Sequence, residues 1–296
     1  MSKRAWLLFA GMAVIWGMPY LFIRVVVQGG VEPALLVFAR TAVGAILLVP
    51  VAVSRREFVP VLRHWRLLIM YTLVEIAIPW FLLSDAERTL SSSLAGLLVA
   101  GTPLVGVVLS VLTRSDEQFD ARRLAGTFIG LAGVALLLGF DVGGGDLRAV
   151  GEMVVVVLCY AAGPHIIARK LRGLAPIGPI SASLALAAVA YAPYALTHLP
   201  PALPGPNVIA AIAVLSVVCT ALAFVIFFAL IAEAGPVRAI VITYVNPAIA
   251  VALGIIVLGE RFTPTIGASF VLILAGSVLA TARVRARQPL PQPASP

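Results

Sequence analysis

Three ionised side chains, Arg24, Arg40 and Glu75, fall inside long apolar stretches of this sequence, and its chemistry has to be sought there first. At the centre of a bilayer a charge costs roughly 2.5–3.5 kcal/mol on insertion scales, so each needs a partner or a wet cavity. Glu75 is the deepest, about 12 Å from either end of its run at the helical rise of 1.5 Å per residue. A carboxylate there suits a proton-exchanging group or the counter-ion of a substrate amine, and equally a structural ion pair with Arg40. Arg40, about seven residues into its own run, could instead hold a substrate carboxylate. Arg24 lies near a run's end and reads as a side chain that snorkels to the headgroups.

Aromatic and amide side chains supply candidate walls for a site. Trp16, Tyr20, Tyr160, Phe227, Tyr244 and Asn246 join Arg40 and Glu75 as the expected substrate-binding set, with Phe224 beside them. Tyr244 and Asn246 closely precede Pro247, and buried polar groups there need partners that a solute or bound water can supply. Trp80 could belong to the same wall, but Trp also concentrates at membrane interfaces, the reading that covers Trp6 as well. His165, one residue beyond Pro164, reads as a helix-end hydrogen-bonding group rather than a proton relay. Enzyme chemistry has no foothold: HExxH, GxSxG and P-loop patterns are absent, and His64, His165 and His198 are scattered over different segments. Neither a metal site nor a cofactor is expected. A channel would need a polar lining or a charged ring, and none is visible.

The elements that must position these groups follow from composition. Of 296 residues 61% are hydrophobic and 11% charged, and the mean hydropathy is +1.07. A soluble domain carries about 25% charged residues, so this chain lacks the polar surface to face water all round. Ten apolar runs are long enough to cross a bilayer: 5–27, 33–53, 67–83, 90–112, 124–140, 150–168, 179–196, 208–231, 237–258 and 264–282. The first follows Lys3 and Arg4 as a signal peptide would, but it is long, contains Trp16 and Pro19 and shows no convincing cleavage site, so it reads as a retained helix.

The net charge of +8 is a topology signal. With the N-terminus cytoplasmic, sixteen of the 21 basic residues fall in cytoplasmic segments and four, Arg24, Arg88, Arg148 and Arg261, in outer ones, with Arg40 inside a span. Both termini are therefore expected inside. No basic cluster is interleaved with aromatics, so nucleic acid is not an expected partner. Cys159 and Cys219 fall within runs and imply no pairing. The tail 283–296, basic and then Pro-rich, reads as a disordered cytoplasmic end.

An internal repeat organises the rest. Shifting residues 94–117 by 144 positions superimposes Pro103 on Pro247 and Asp116 on Glu260, and Leu131-Ala132-Gly133 then matches Leu274-Ala275-Gly276 after a one-residue gap. The two units are 1–140 and 141–282. Five helices is an odd number, so the second unit enters the membrane upside down. The expected fold is all-α and polytopic, ten transmembrane helices in two inverted five-helix repeats, an architecture of carriers that rock about a site near the midplane. Pro103 and Pro247 each remove a helical hydrogen bond, and the freed carbonyls must face protein or water; helices 4 and 9 are expected to kink there around one shared cavity. Gly126 and Gly130 make a GxxxG step, a close-packing signal.

Trp16-Gly17, Arg40, the paired Pro103 and Pro247, Leu258-Gly259-Glu260-Arg261 and the Gly-rich helices that follow together resemble the EamA-type carriers of the drug/metabolite transporter superfamily. The resemblance spans nearly the whole chain in two copies. It implies a permease of the bacterial cytoplasmic (inner) membrane, with a cavity lined mainly by helices 1, 3, 4, 6, 8 and 9, and in many members export of metabolites or drugs. The first repeat departs from the pattern, with Arg114-Ser115-Asp116-Glu117 where the second has LGER, and the resemblance assigns nothing to Glu75. The expected function is secondary transport of a small amphipathic metabolite, a zwitterionic amino acid first. A flippase for a lipid-linked substrate and a drug efflux carrier are the alternatives. Small-molecule substrate and lipid bilayer are the expected partners, and a homodimer stays an option.

Overall fold

The computed structural model describes residues 1–112, 121–141, 147–170, 174–239 and 241–281. The expected tail 283–296, the loop acid Asp116 and the side chain of His165 lie outside the described residues. In chain order the long helices are α1 (Lys3–Gly17 and Pro19–Gln28), α2 (Pro33–Ser54), α3 (Trp65–Ala86), α4 (Ser92–Val99 and Thr102–Leu112), α5 (Ala121–Asp141), α6 (Leu147–Lys170), α7 (Ile177–Thr197), α8 (Pro206–Ala234), α9 (Ile242–Leu258) and α10 (Pro264–Thr281). Strands are absent among the described residues. Eight of these helices, all but α6 and α9, are long and apolar enough to cross a membrane, and α9 is a shorter apolar helix.

Helix starts follow the local chemistry. Ser2 caps α1 by accepting from the Ala5 amide, Ser91 caps α4 by accepting from that of Leu94, and Pro19, Pro33 and Pro206 open their helical segments, where a missing N–H costs nothing. Pro50 and Pro193 sit inside α2 and α7.

The two expected kinks differ. At Pro103 α4 breaks and restarts, and the carbonyl of Val99, which a proline four residues on leaves without its helical donor, accepts from the Thr102 hydroxyl at 2.7 Å. Ser277 of α10 donates to the Ala100 carbonyl at 3.3 Å. The break is thus satisfied by its own turn and by α10, and Leu104 beyond it packs with Val107 and Ala280. Pro247 is buried within a continuous α9.

A feature without a sequence signal appears in α3 and α8. Residues Thr72–Ala77 and Val214–Leu222 are π-helical, and the 144-residue offset carries the first segment onto positions 216–221, inside the second. π-segments inside α-helices concentrate at functional positions.

Packing repeats the same relation. α1 packs on α8 and α9, α6 on α3 and α4, α2 on α8 and α7 on α3, a set that maps onto itself when each helix is exchanged for the one five away. Three pairs of helices five apart, α2–α7, α4–α9 and α5–α10, also meet directly and run antiparallel. Glu32 before α2 accepts from Tyr194 near the end of α7 at 2.6 Å, whereas Glu57 beyond α2 lies against Gly178 at the start of α7. Gly96 of α4 abuts Ala250 of α9, and Gly254 meets Ser92 and Ser93. Gly126 faces the backbone of Gly276 and Ala280, and Gly133 that of Ile273, so the GxxxG face of α5 lies backbone to backbone on α10.

Candidate functional site

The interior charge of α2 is held by two helices. Arg40, 7% exposed, donates from Nε to Thr220 Oγ1 at 2.8 Å, and its guanidinium carbon lies 3.7 Å from the centroid of the Trp80 ring. Thr220 can accept because its own hydroxyl proton goes to the Leu215 carbonyl at 2.8 Å, five residues back in the π segment of α8. A guanidinium stacked on indole keeps its in-plane N–H groups available. Among the described residues the bond to Thr220 is the one Arg40 makes, which leaves its terminal nitrogens for another acceptor. Tyr20 of α1, Tyr160 of α6, Cys219 of α8 and Glu87, just beyond α3, are within electrostatic range.

Glu75 sits in the π segment of α3 and points at α6. Its Oε2 is buried without a hydrogen-bond partner, and a methyl group on Gly163 would collide with that oxygen. Tyr71, Cys159 and Tyr160 are the groups that sense its charge. Arg40 is not among them, and no ion pair joins the two among the described residues. The structural pairing offered by the sequence is therefore not formed: Arg40 turns to α8 and Trp80, Glu75 to α6, and Tyr160 is near both.

Trp16 and Phe227 form the next layer. Their ring centroids are 4.6 Å apart, Phe224 lies edge-on to Trp16 at 6.1 Å, and Phe228 continues the group toward Trp80 and Tyr160. Tyr244 and Asn246, expected in the site, have their polar groups taken up by neighbouring residues. Tyr244 hydrogen-bonds Thr281 of α10. The Asn246 amide, turned to satisfy its neighbours, donates to Ile242 O at 2.9 Å and to Ala13 O of α1 at 3.1 Å. Both polar groups join helices, which meets the need that proximity to Pro247 suggested. Trp80, expected at an interface as readily as in the site, is 7% exposed and central.

Arg24 does not snorkel. Its Nη1 donates to the Glu87 carbonyl and, at 2.9 Å, to that of Leu90, tying α1 to the turn between α3 and α4. The same end of the bundle carries a clasp. Glu260 accepts from the Ser92 amide at 2.7 Å, from the Ser92 hydroxyl at 2.9 Å, from the Ser93 amide at 3.0 Å and from the Ser93 hydroxyl. A carboxylate at a helix N-terminus satisfies orphan N–H groups and complements the helix dipole.

The fold and the site define a polytopic helical membrane protein built in two halves around a charged, aromatic interior. Comparison with known proteins makes this specific: a sequence profile of the EamA-like transporter family matches residues 3–139 and again 148–282, and the chain belongs to that family, one of membrane transporters within the drug/metabolite superfamily. A solved crystal structure shares the fold at 20% identity, with a TM-score of 0.67 over 95% of this chain and 98% of that one. No curated protein matches the sequence at a significant level.

Proposed function

We propose that the chain is a secondary transporter that moves a small amphipathic metabolite, a zwitterionic amino acid first, outward across the bacterial cytoplasmic membrane by alternating access. All ten long helices cross the membrane in this reading, α1–α5 and α6–α10 are inverted copies, and both termini are cytoplasmic. The antiparallel contacts between helices five apart support the inversion, and the sixteen-to-four distribution of basic residues supports the orientation. It follows that the Glu260 clasp and the Arg24 ties lie at the outer end.

One observation carries the substrate reading: a guanidinium and a carboxyl lie in the interior and are not paired with each other. Arg40 offers free guanidinium N–H groups, and Glu75 offers a buried oxygen without a donor. Each is costly to leave so, and a zwitterion satisfies both at once, its carboxylate on Arg40 and its ammonium on Glu75. The Trp16–Phe227 layer then meets an apolar side chain.

Efflux of labelled amino acids from proteoliposomes tests this. Saturable efflux of an apolar amino acid, lost in Arg40→Gln and in Glu75→Gln, is expected. Activity on a lipid-linked substrate alone overturns it.

A further inference from the structure

The most deeply buried carboxyl near the outer end has no task in this site. Glu87 directly follows α3, is 0% exposed, and both of its carboxyl oxygens are shielded from solvent without a hydrogen-bond partner. The donors of the adjoining turn and of the clasp are committed elsewhere. Arg24 gives its guanidinium to the backbone carbonyls of Glu87 and Leu90, and the amides and hydroxyls of Ser92 and Ser93 go to Glu260. The charged and titratable groups facing Glu87 are Arg24 and Tyr20 from α1, Arg40 from α2 and Glu260 from the turn after α9. On its own stretch Asp85 is taken by Arg148 at 2.5 Å and by Arg88 at 3.5 Å, and Glu152 pairs with Arg148.

A carboxylate with no donor and a second carboxylate close by is held at least cost as the neutral acid. Burial first of all, and Glu260 with it, pushes the Glu87 carboxyl well above the usual range, against the pull of Arg24.

The other half of the chain supplies a comparison. The dipeptide Ala86-Glu87 at the end of α3 recurs as Ala232-Glu233 at the end of α8. There the acid is open to water, with its side chain 30% exposed; Ser2 Oγ donates to it at 2.6 Å, and Arg4 lies 4.0 Å away. One dipeptide is thus hydrated at one end of the bundle and sealed at the other, so the burial of Glu87 comes from the packing around its end and not from the dipeptide itself.

We propose that Glu87 is a proton-binding site that latches the outer end: its carboxyl is neutral while Glu260 clasps α4 and Arg24 ties the turn, and it releases its proton to the outer aqueous phase when that end opens and water reaches it. The sign follows from linkage. The closed state binds the proton more tightly than the open one, so acid favours closure, and closure is lost as pH rises through the closed-state value. The proposal rests on the alternating-access reading above, because it needs an outer end that opens.

The test measures that end directly, in the full-length chain in lipid discs. Spin labels at Thr89→Cys and Phe262→Cys, with Cys159→Ala and Cys219→Ala, report the distance across the clasp between pH 5 and pH 9. A closed population that dominates at pH 5 and declines toward pH 9 is expected, with Glu87→Gln, which cannot ionise, closed throughout. A pH profile that Glu87→Gln leaves unchanged, or two populations insensitive to pH, overturns the latch and leaves alternating access standing. A distance that stays closed in every variant, Glu260→Gln included, overturns both. Infrared spectroscopy reads the proton itself, whatever the folding yield of Glu87→Gln. In a Glu75→Gln background a carboxylic-acid carbonyl band at pH 7 supports the proposal, and its absence overturns it.

Discussion

Glu260 and Ser92 stand 168 positions apart and meet twice, because one carboxylate oxygen accepts both the Ser92 amide, at 2.7 Å, and the Ser92 hydroxyl, at 2.9 Å. This contact joins the two family repeats across the start of α4. It gives the Leu258-Gly259-Glu260-Arg261 motif a physical job: Gly259 takes a left-handed turn, φ 67°, that ends α9 and brings the acid back to its neighbour.

Glu260→Gln removes the charge and turns one acceptor into a donor that faces N–H groups. A loss of about 1.5–3 kcal/mol is expected, the range for hydrogen bonds to charged groups. Ser92→Ala leaves the backbone donor in place and should cost about 0.5–1.5 kcal/mol. Thermal unfolding in detergent orders the two, and an unchanged midpoint for Glu260→Gln would show that the clasp adds nothing to stability.

Arg40 and Glu75 are not paired, so their stability effects should add. Glu75→Gln should express as well as the parent chain. Arg40→Gln, which gives up the Trp80 stack and the Thr220 bond, should lose about 1–3 kcal/mol. In the double variant the sum should hold within about 0.5 kcal/mol, as for sites that do not interact. Rescue of Arg40→Gln by Glu75→Gln would restore the ion-pair reading.

Gly163→Ala places a methyl group on the Glu75 carboxyl. A destabilisation of about 1–3 kcal/mol is expected from overpacking, together with lost transport. Shortening the partner, in Gly163→Ala with Glu75→Ala, should recover stability without recovering transport. If the double variant is no more stable than Gly163→Ala alone, the contact between α3 and α6 is not the cause.

The α5–α10 seam depends on the absence of side chains. Gly276→Val should destabilise by about 1–3 kcal/mol or more, because a Cβ there meets the backbone of Gly126 and Gly130. Gly139→Ala, on α5 with open space around it, should stay within about 0.5 kcal/mol of the parent. Apparent melting temperatures check the contrast, and equal shifts in the two variants would remove it.

Apolar runs made the helices legible, because a bilayer forces about 20 such residues into each crossing, and every long helix lies over one of the ten runs. The repeat was legible through Pro103, Pro247 and Glu260. The environments of single polar groups were not. Glu87 lies beyond the apolar run 67–83 and carries no sequence signal of its own, yet the fold buries it. Tyr244 and Asn246 stood out as polar groups beside a proline, and nothing in the sequence announced that Thr281 and Ala13 would satisfy them. Thr220 gave no signal, since its part depends on a π turn that no glycine or proline marks.

That π geometry in α3 and α8 has a mechanical corollary. A π turn stores a surplus residue, like slack in a wound cord. If the slack travels along the helix, every residue it passes turns by about 100°, the angular step of one helical residue, while most of the backbone ladder stays closed. Glu75 rides on one such cord and Thr220, the hydroxyl that steadies Arg40, on the other. A one-residue shift of that slack would thus turn the interior group of each half as a ratchet turns its pawl, by one tooth, with neither helix unwinding.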